Sequence, residues 1–300
     1  MEEQRVLSIQ SHVVHGYVGN KAACFPLQVL SFDVDTINSV HFSNHTGYPD
    51  KWEGDVLNGE QLGRILKGLE RNNLLSKTSN VLTGYIGSES FLKAVINVIQ
   101  TVKKYSPNSR YVCDPVIGDH GKFYVPVTLV DVYRKELIPI SNLVTPNQFE
   151  AEQLTGVTIT SIEDGKEACR KLHEMGPELV VITSMTLAGN EDYVVMLASK
   201  RTKSQDGSFK DILYSIESPI IEGRYTGTGD VTAALLLGWT CKYPQNLPLV
   251  LEKVMSTMYS IIHFTKDHSD GTVAGRELKL IQSKKVIEDP PMLFEAKRLS

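Results

Sequence analysis

The chain has 300 residues, 41% hydrophobic and 22% charged, an ordinary globular balance with enough apolar material for a sizeable core. A formal net charge of −4 excludes the bulk basic field that holds nucleic acid or an anionic membrane surface, so a polyanionic ligand would need local donors and a metal. Four cysteines, at 24, 113, 169 and 241, are too scattered for C-x-x-C zinc or redox pairing and read as reduced, buried thiols.

The segment Met1-Glu2-Glu3-Gln4-Arg5 lacks a basic n-region, and the apolar stretch after it is broken by Ser8 and Gln10, so it reads as a first strand, Arg5–Gln10. Short β-branched runs follow at Asp33–Asn38, Asn80–Thr83, Arg110–Cys113, Asn142–Thr145, Leu179–Thr183 and Tyr193–Ala198. Between them, apolar residues at three- and four-residue spacing predict helices over Lys21–Leu30, Gly59–Arg71, Glu89–Tyr105, Asn147–Thr155 and Ile162–Glu174. Two more follow over Asp230–Lys242 and Leu249–Thr265. Thr155-Gly156 and Met175-Gly176-Pro177 supply stops.

Alternation of this kind predicts an α/β fold with a mostly parallel sheet covered on both faces. It crosses the midpoint without a linker, so residues 1–300 read as one domain. Lys200–Ser208, polar and containing glycine, is expected to be a surface hairpin loop, and Val34–Asp50 to project from the sheet and cover a site at its edge. The longest apolar run, Val231 to Trp239, is interrupted by Thr232 and Gly238 and falls short of the roughly 18 residues that cross a bilayer. A cytoplasmic protein with no membrane partner is expected.

The sharpest local feature is Gly223-Arg224-Tyr225-Thr226-Gly227-Thr228-Gly229-Asp230, a glycine-rich turn opening an apolar helix. Free amides at a helix start, backed by the helix dipole and brought close by Gly227 and Gly229, make a phosphate site. Asp230 reads either as a catalytic carboxylate or as a helix cap. Ligands of open α/β sheets collect outside the carboxyl ends of the strands. Those ends carry Ser11-His12, Gly84-Tyr85, Asp114-Pro115, Pro146-Asn147 and Thr183-Ser184.

Asp114 and Glu150 are candidate ligands of Mg²⁺; the plainer alternatives are a turn residue before Pro115 and a first-turn carboxylate favouring the helix dipole. The pairs His12/His15 and His41/His45 lie in no convincing helix and lack a third ligand for zinc, whereas His45 could touch a small substrate. There is no G-x-x-x-x-G-K-[ST], no H-R-D with D-F-G, and no G-x-G-x-x-G, which excludes a P-loop protein, a protein kinase and a Rossmann dehydrogenase. The residues thus point to a kinase acting on a small alcohol.

Six segments carry a family resemblance: Leu7-Ser8-Ile9-Gln10-Ser11-His12-Val13, Gly16-Tyr17-Val18-Gly19-Asn20, Phe42-Ser43-Asn44-His45-Thr46-Gly47-Tyr48, Cys113-Asp114-Pro115-Val116, Thr145-Pro146-Asn147-Gln148-Phe149-Glu150-Ala151-Glu152 and Gly227-Thr228-Gly229-Asp230. On these the chain resembles the pyridoxal (vitamin B6) kinases of the ribokinase-like superfamily over almost its whole length.

The resemblance implies a three-layer α/β/α fold with a central, mostly parallel sheet, a homodimer, and MgATP-dependent phosphorylation of the 5′-hydroxyl of B6 vitamers. Asp230 would be the base, with Gly227, Thr228 and Gly229 at the transferring phosphoryl group. Ser11, Val18, Phe42, His45, Thr46 and Tyr85 would meet the vitamer, and Asp114, Asp119, Tyr124, Asn147, Glu150, Thr183, Ser184, Thr228 and Gly229 the nucleotide. Mg²⁺ would sit by Asp114 and Glu150, and K⁺ or another monovalent cation by Asp114, Thr145 and Thr183.

Two departures stand out. Only His120-Gly121-Lys122-Phe123 separate Asp119 from Tyr124, shorter than the nucleotide-covering loop of animal relatives, and Val231-Thr232 replace a bulkier pair after Asp230. The alternatives are a related kinase of hydroxymethylpyrimidine or a sugar, against which Ser11 and Asn44-His45-Thr46 argue, and a silent nucleotide-binding protein.

Overall fold

The computed structural model describes residues 4–204 and 206–299. In chain order the strands and helices are β1 (Arg5–Val13), α1 (Asn20–Val29), β2 (Asp33–Phe42), β3 (Gly54–Val56), α2 (Gly59–Arg71), β4 (Thr78–Thr83) and α3 (Glu89–Tyr105). Then come β5 (Arg110–Cys113), β6 (Gly118–Asp119), β7 (Lys122–Phe123), α4 (Thr128–Val132), β8 (Leu143–Val144), α5 (Gln148–Thr155), α6 (Ile162–Met175) and β9 (Leu179–Met185). The chain continues through β10 (Tyr193–Lys203), β11 (Phe209–Pro219), α7 (Thr228–Lys242), α8 (Leu247–Asp267), α9 (Lys284–Glu288) and β12 (Lys297–Arg298).

One sheet runs β12-β11-β10-β9-β8-β5-β4-β1-β2-β3. Its centre, from β9 across to β2, is parallel; β10, β11 and β12 at one edge and β3 at the other are antiparallel. Successive strand residues point to opposite faces. In β1, Val6 joins a core with α1, α7 and α8, while Leu7 and Ile9 join one with α2, α3 and α6. Apolar runs, rather than alternation, are what a sheet buried on both sides requires. The result is the expected three-layer α/β/α arrangement.

Chain order reverses beside β1, which pairs with β2 on one side and β4 on the other. The crevice that opens at such a reversal is where α/β sheets place ligands. Helix α7 is buried from Val231 to Thr240, so its first turn is held rigidly beside that crevice.

Several element ends differ from the sequence expectation. The hairpin of β10 and β11 turns only over 204–208, where Gln205 lies outside the described residues; Lys200–Lys203 belong to β10. Here β10 overruns β9, whose register with it ends at Lys200, and Arg201 pairs with Asp211 across the hairpin through two bonds of 2.7 Å. Between Asp33 and Asp50, strand β2 runs straight through to Phe42, and the antiparallel β3 then closes the sheet edge beside it. Helix α7 begins at Thr228, two residues before the expected start. All four cysteines are free, Cys113 and Cys169 buried, Cys24 and Cys241 only half-buried.

Candidate active site

The glycine-rich turn ends in Gly227, which takes a left-handed conformation with φ 88° and precedes α7; no side chain caps the helix. A Cβ on Gly227 would lie 2.1 Å from the Tyr17 carbonyl oxygen, so only glycine admits this approach of the two chain segments. Gly229, in contrast, has an ordinary φ, and a Cβ there would meet no other part of the protein within 4 Å. Nothing in the protein demands glycine at this position. The space it leaves open lies at the helix N-terminus, where amides and dipole favour an anion.

Asp230 occupies the third position of α7, yet its carboxylate does not cap that helix. Oδ2 accepts the Gly19 amide at 2.8 Å, a bond spanning 211 positions of sequence. The side chain keeps some exposure toward the crevice, but protein crowds it otherwise, and this burial pushes its pKa up to about 6 against the Gly19 bond that lowers it. A half-buried carboxylate with a raised pKa in a cleft is the electrostatic mark of a working base.

Asp114, at the end of β5, is 5% exposed, and the Thr145 hydroxyl donates to its Oδ1 at 3.2 Å. Burial first, then the charge of Asp230, raise its pKa well above the carboxylate range. Glu150 is equally buried. Its Oε1 accepts the Ile117 amide at 3.0 Å and its Oε2 the Asn147 amide at 2.9 Å, while Asn147 Oδ1 accepts the Glu150 amide: a capping box for α5. Burial and Asp114 raise Glu150, opposed by those amides. The plain reading of Glu150, a first-turn carboxylate at a helix start, takes the form of this capping box.

Asn147 also donates to the Gly118 carbonyl at 2.8 Å, tying α5 to the hairpin β6–β7. His120 and Gly121 at its tip have φ 47° and 75°, the two positive values of a type I′ two-residue turn. The short segment between Asp119 and Tyr124 is thus a tight hairpin. Burial, then Asp119, raise the Tyr124 hydroxyl, while a bond from Arg224 lowers it, so the hairpin meets the glycine-rich turn. Thr183 is half-buried at the end of β9, its amide bonded to the Pro146 carbonyl at 2.9 Å, and Ser184 beside it is exposed.

Val18, next to Gly19 in the chain, and Phe42 pack with Val13, Val40 and Tyr85 in a small apolar cluster, and Trp52 stacks on Phe42 at 3.9 Å between ring centroids. Ser11 is buried against Gly19, whose Cβ would fall 2.3 Å from the Ser11 hydroxyl. Thr46 is exposed at a turn. His45 is 7% exposed, but both ring nitrogens are engaged by protein: Nδ1 accepts the Gly47 amide at 3.0 Å and Nε2 lies 3.3 Å from Glu277 Oε1. In this arrangement both ring nitrogens are taken by protein.

Sequence reasoning missed three participants: the Gly19 amide, Arg224 and Glu277. Gly19 had a signal in Gly16-Tyr17-Val18-Gly19, whereas Glu277 had none. A separate cavity, of about 130 Å³, is lined by Ile162, Leu187, Val195 and Glu217 and contains none of the candidate residues. The crevice is where the chemistry-bearing groups converge.

Residues 75–248 match the family model described as phosphomethylpyrimidine kinase. The chain is 50% identical to the pyridoxal kinase of Arabidopsis thaliana, over 99% of this chain and 95% of that one. It is 47% identical to the pyridoxal kinase of Ovis aries, over 98% of each. Among solved structures, pyridoxal kinase from Leishmania donovani in complex with ADP and pyridoxamine superposes with a TM-score of 0.92 at 36% identity, covering 99% of this chain and 100% of that one. Near-full-length identity with these enzymes, on the same mostly parallel sheet, places the chain in the pyridoxal kinase family.

Proposed function

We propose that this kinase transfers the γ-phosphoryl group of MgATP to the 5′-hydroxyl of pyridoxal, pyridoxine and pyridoxamine. The observation that carries the reading is Asp230, whose carboxylate leaves its own helix uncapped and is held by the Gly19 amide beside the glycine-rich helix start. Phosphoryl transfer asks the protein chiefly to position reactants and offset charge. Amides at Thr228 and Gly229 face the γ-phosphoryl oxygens, and the apolar cluster with Ser11 holds the ring.

Asp230 orients the hydroxyl and takes its proton as the new oxygen–phosphorus bond forms and the bond to ADP breaks. Its raised pKa makes it a stronger base than a surface carboxylate, though far weaker than an alkoxide, so proton transfer is late or concerted. The free enzyme's kcat/KM for pyridoxal is expected to fall as pH drops through about 6, measurable in a pH–rate profile at saturating ATP.

A kinase that uses ATP requires a divalent cation, and Mg²⁺ suits this donor set. Burial and Asp230 disfavour charge on Asp114, which accepts the Thr145 hydroxyl, and a cation beside it would offset both. Glu150 has most of its lone pairs occupied by amides and would act through water, as Mg²⁺ sites commonly do. Mg²⁺ supplies charge neutralisation on the phosphates. Asp114→Asn is expected to raise the Mg²⁺ concentration for half-maximal turnover by at least about tenfold while leaving thermal stability equal or higher, since the change removes a buried charge. Unchanged Mg²⁺ dependence would remove Asp114 from the site.

The same reading includes a monovalent cation, K⁺ in the first instance, near Asp114, Thr145 and Thr183, with Asp119, Tyr124, Asn147 and Ser184 around the nucleotide. It also includes one domain over residues 1–300, a homodimer and a cytoplasmic location. Among the described residues, no helix is long and apolar enough to cross a membrane. Phosphorylation of hydroxymethylpyrimidine is the second reading, favoured by the description of the matching family model. Turnover measured side by side on pyridoxal, hydroxymethylpyrimidine and ribose separates them: pyridoxal is expected to lead in kcat/KM by at least about 10²-fold, and a lead by either rival would overturn the assignment.

A further inference from the structure

Glu277 is a carboxylate only 6% exposed, contributed from beyond α8, more than 200 positions from the partners its side chain binds. Oε2 accepts the Tyr17 amide at 2.9 Å; Oε1 accepts the Tyr48 hydroxyl at 3.0 Å and lies 3.3 Å from His45 Nε2. The carboxyl group packs flush on Gly16, where a Cβ would stand 2.1 Å from Oε1. Burial alone would push Glu277 up; the bonds from His45, Tyr17 and Tyr48 outweigh it and hold the group below its usual range.

Those partners belong to the two segments that frame the site. Tyr17 lies between Gly16 and Gly19, and this segment presents the Gly19 amide to Asp230 and the Tyr17 carbonyl to Gly227. His45 and Tyr48 bracket the turn after β2 that carries Thr46. Because the Gly47 amide donates to His45 Nδ1, that nitrogen is the unprotonated one, and Nε2 carries the hydrogen that Glu277 accepts.

We propose that Glu277 is a positioning residue for phosphoryl transfer: it joins the 45–48 turn to the 16–19 segment, fixes His45 as the Nε2–H tautomer, and through Gly19 sets the carboxylate of Asp230. The proposal rests on the kinase reading above. Removing the charge should disturb the acceptor side of the site and the base together, and leave the nucleotide side alone. In Glu277→Gln the side-chain carbonyl can still accept the Tyr17 amide, but its NH₂ group then faces the His45 Nε2–H, donor against donor.

The test is steady-state kinetics of Glu277→Gln with thermal melting, beside ¹⁵N NMR of the histidines. The wild-type protein should show His45 as Nε2–H. In the variant we expect KM for pyridoxal up and kcat down, each by about tenfold, KM for ATP within about threefold, and loss of the fixed tautomer. Wild-type kinetics in a folded variant would overturn the proposal, as would equal loss toward both substrates or an Nδ1–H tautomer in the wild type. Should the variant not fold, the wild-type tautomer decides. Wild-type protein without pyridoxal turnover would instead sink the kinase reading, a distinguishable failure.

Discussion

Asp230→Asn should abolish most turnover and yet stabilise the protein. Loss of the base is expected to lower kcat by at least about 10²-fold, the low end for a positioned general base, with ATP affinity within a few-fold. The stability effect follows from burial. In the unfolded chain the Asp230 carboxyl ionises near 3.8, whereas in the folded protein it is raised to about 6. Below about pH 4 the group is neutral in both states, and the substitution should change little.

As pH climbs from about 4 through about 6, the wild-type protein loses stability on the order of 2–3 kcal/mol that the variant keeps. In metal-free and nucleotide-free protein at pH 7 to 8, the melting temperature of the variant should therefore exceed that of wild type by several degrees, the gap closing toward pH 4. Assays of kcat and melting curves across this range check both halves. Retained turnover would remove Asp230 from catalysis, and a pH-independent gap would remove the burial argument. The pairing of lost activity with gained stability is what a working charge held in a crowded site predicts.

Glycine pattern and strand-end chemistry made the candidate nucleotide side legible in the sequence. Gly227-Thr228-Gly229-Asp230 is a local signal, and Asp114, Asn147 and Thr183 follow from one rule about the ends of parallel strands, whereas Thr145 rests on the family resemblance. The layered fold was legible too, because strands buried on both faces must be apolar throughout. Strand ends were harder: Lys200–Lys203 look like loop because β10 runs on past the end of β9, where charged side chains are tolerated, and the true turn is confined to 204–208.

Least legible were groups whose role depends on a distant partner. Asp230 reads equally as a cap until Gly19 is seen on its Oδ2. That Gly47 and Glu277 meet the two nitrogens of His45 has no mark in the sequence around it. Nothing in Arg276-Glu277-Leu278 marks the central residue, since burial of a carboxylate is decided by amides and hydroxyls supplied from elsewhere. Periodicity reports faces, and it carries no record of which loops meet.

Gly227 and Gly229, two residues apart, should respond to alanine in opposite ways. At Gly227, φ of 88° costs an L-residue about 1–2 kcal/mol, and the new Cβ would meet the Tyr17 carbonyl at 2.1 Å. That oxygen is backbone and cannot swing aside without carrying the 16–19 segment, hence Gly19 and the carboxylate it holds. Gly227→Ala is therefore expected to lower the melting temperature and to cut kcat by about 10²-fold or more, because amides and base move together.

Gly229→Ala meets no protein atom within 4 Å and sits inside the first turn of α7, where alanine is favoured over glycine by about 1 kcal/mol. Its melting temperature should hold or rise. Its methyl group, however, would project into the space assigned to the phosphoryl group, raising KM for ATP or lowering kcat by about tenfold or more. Measuring both variants by melting and by kinetics separates structural need from ligand need. A fully active Gly229→Ala would show that the anion does not sit at this helix start, whereas a stable but disabled one locates the transferring group between these amides and Asp230.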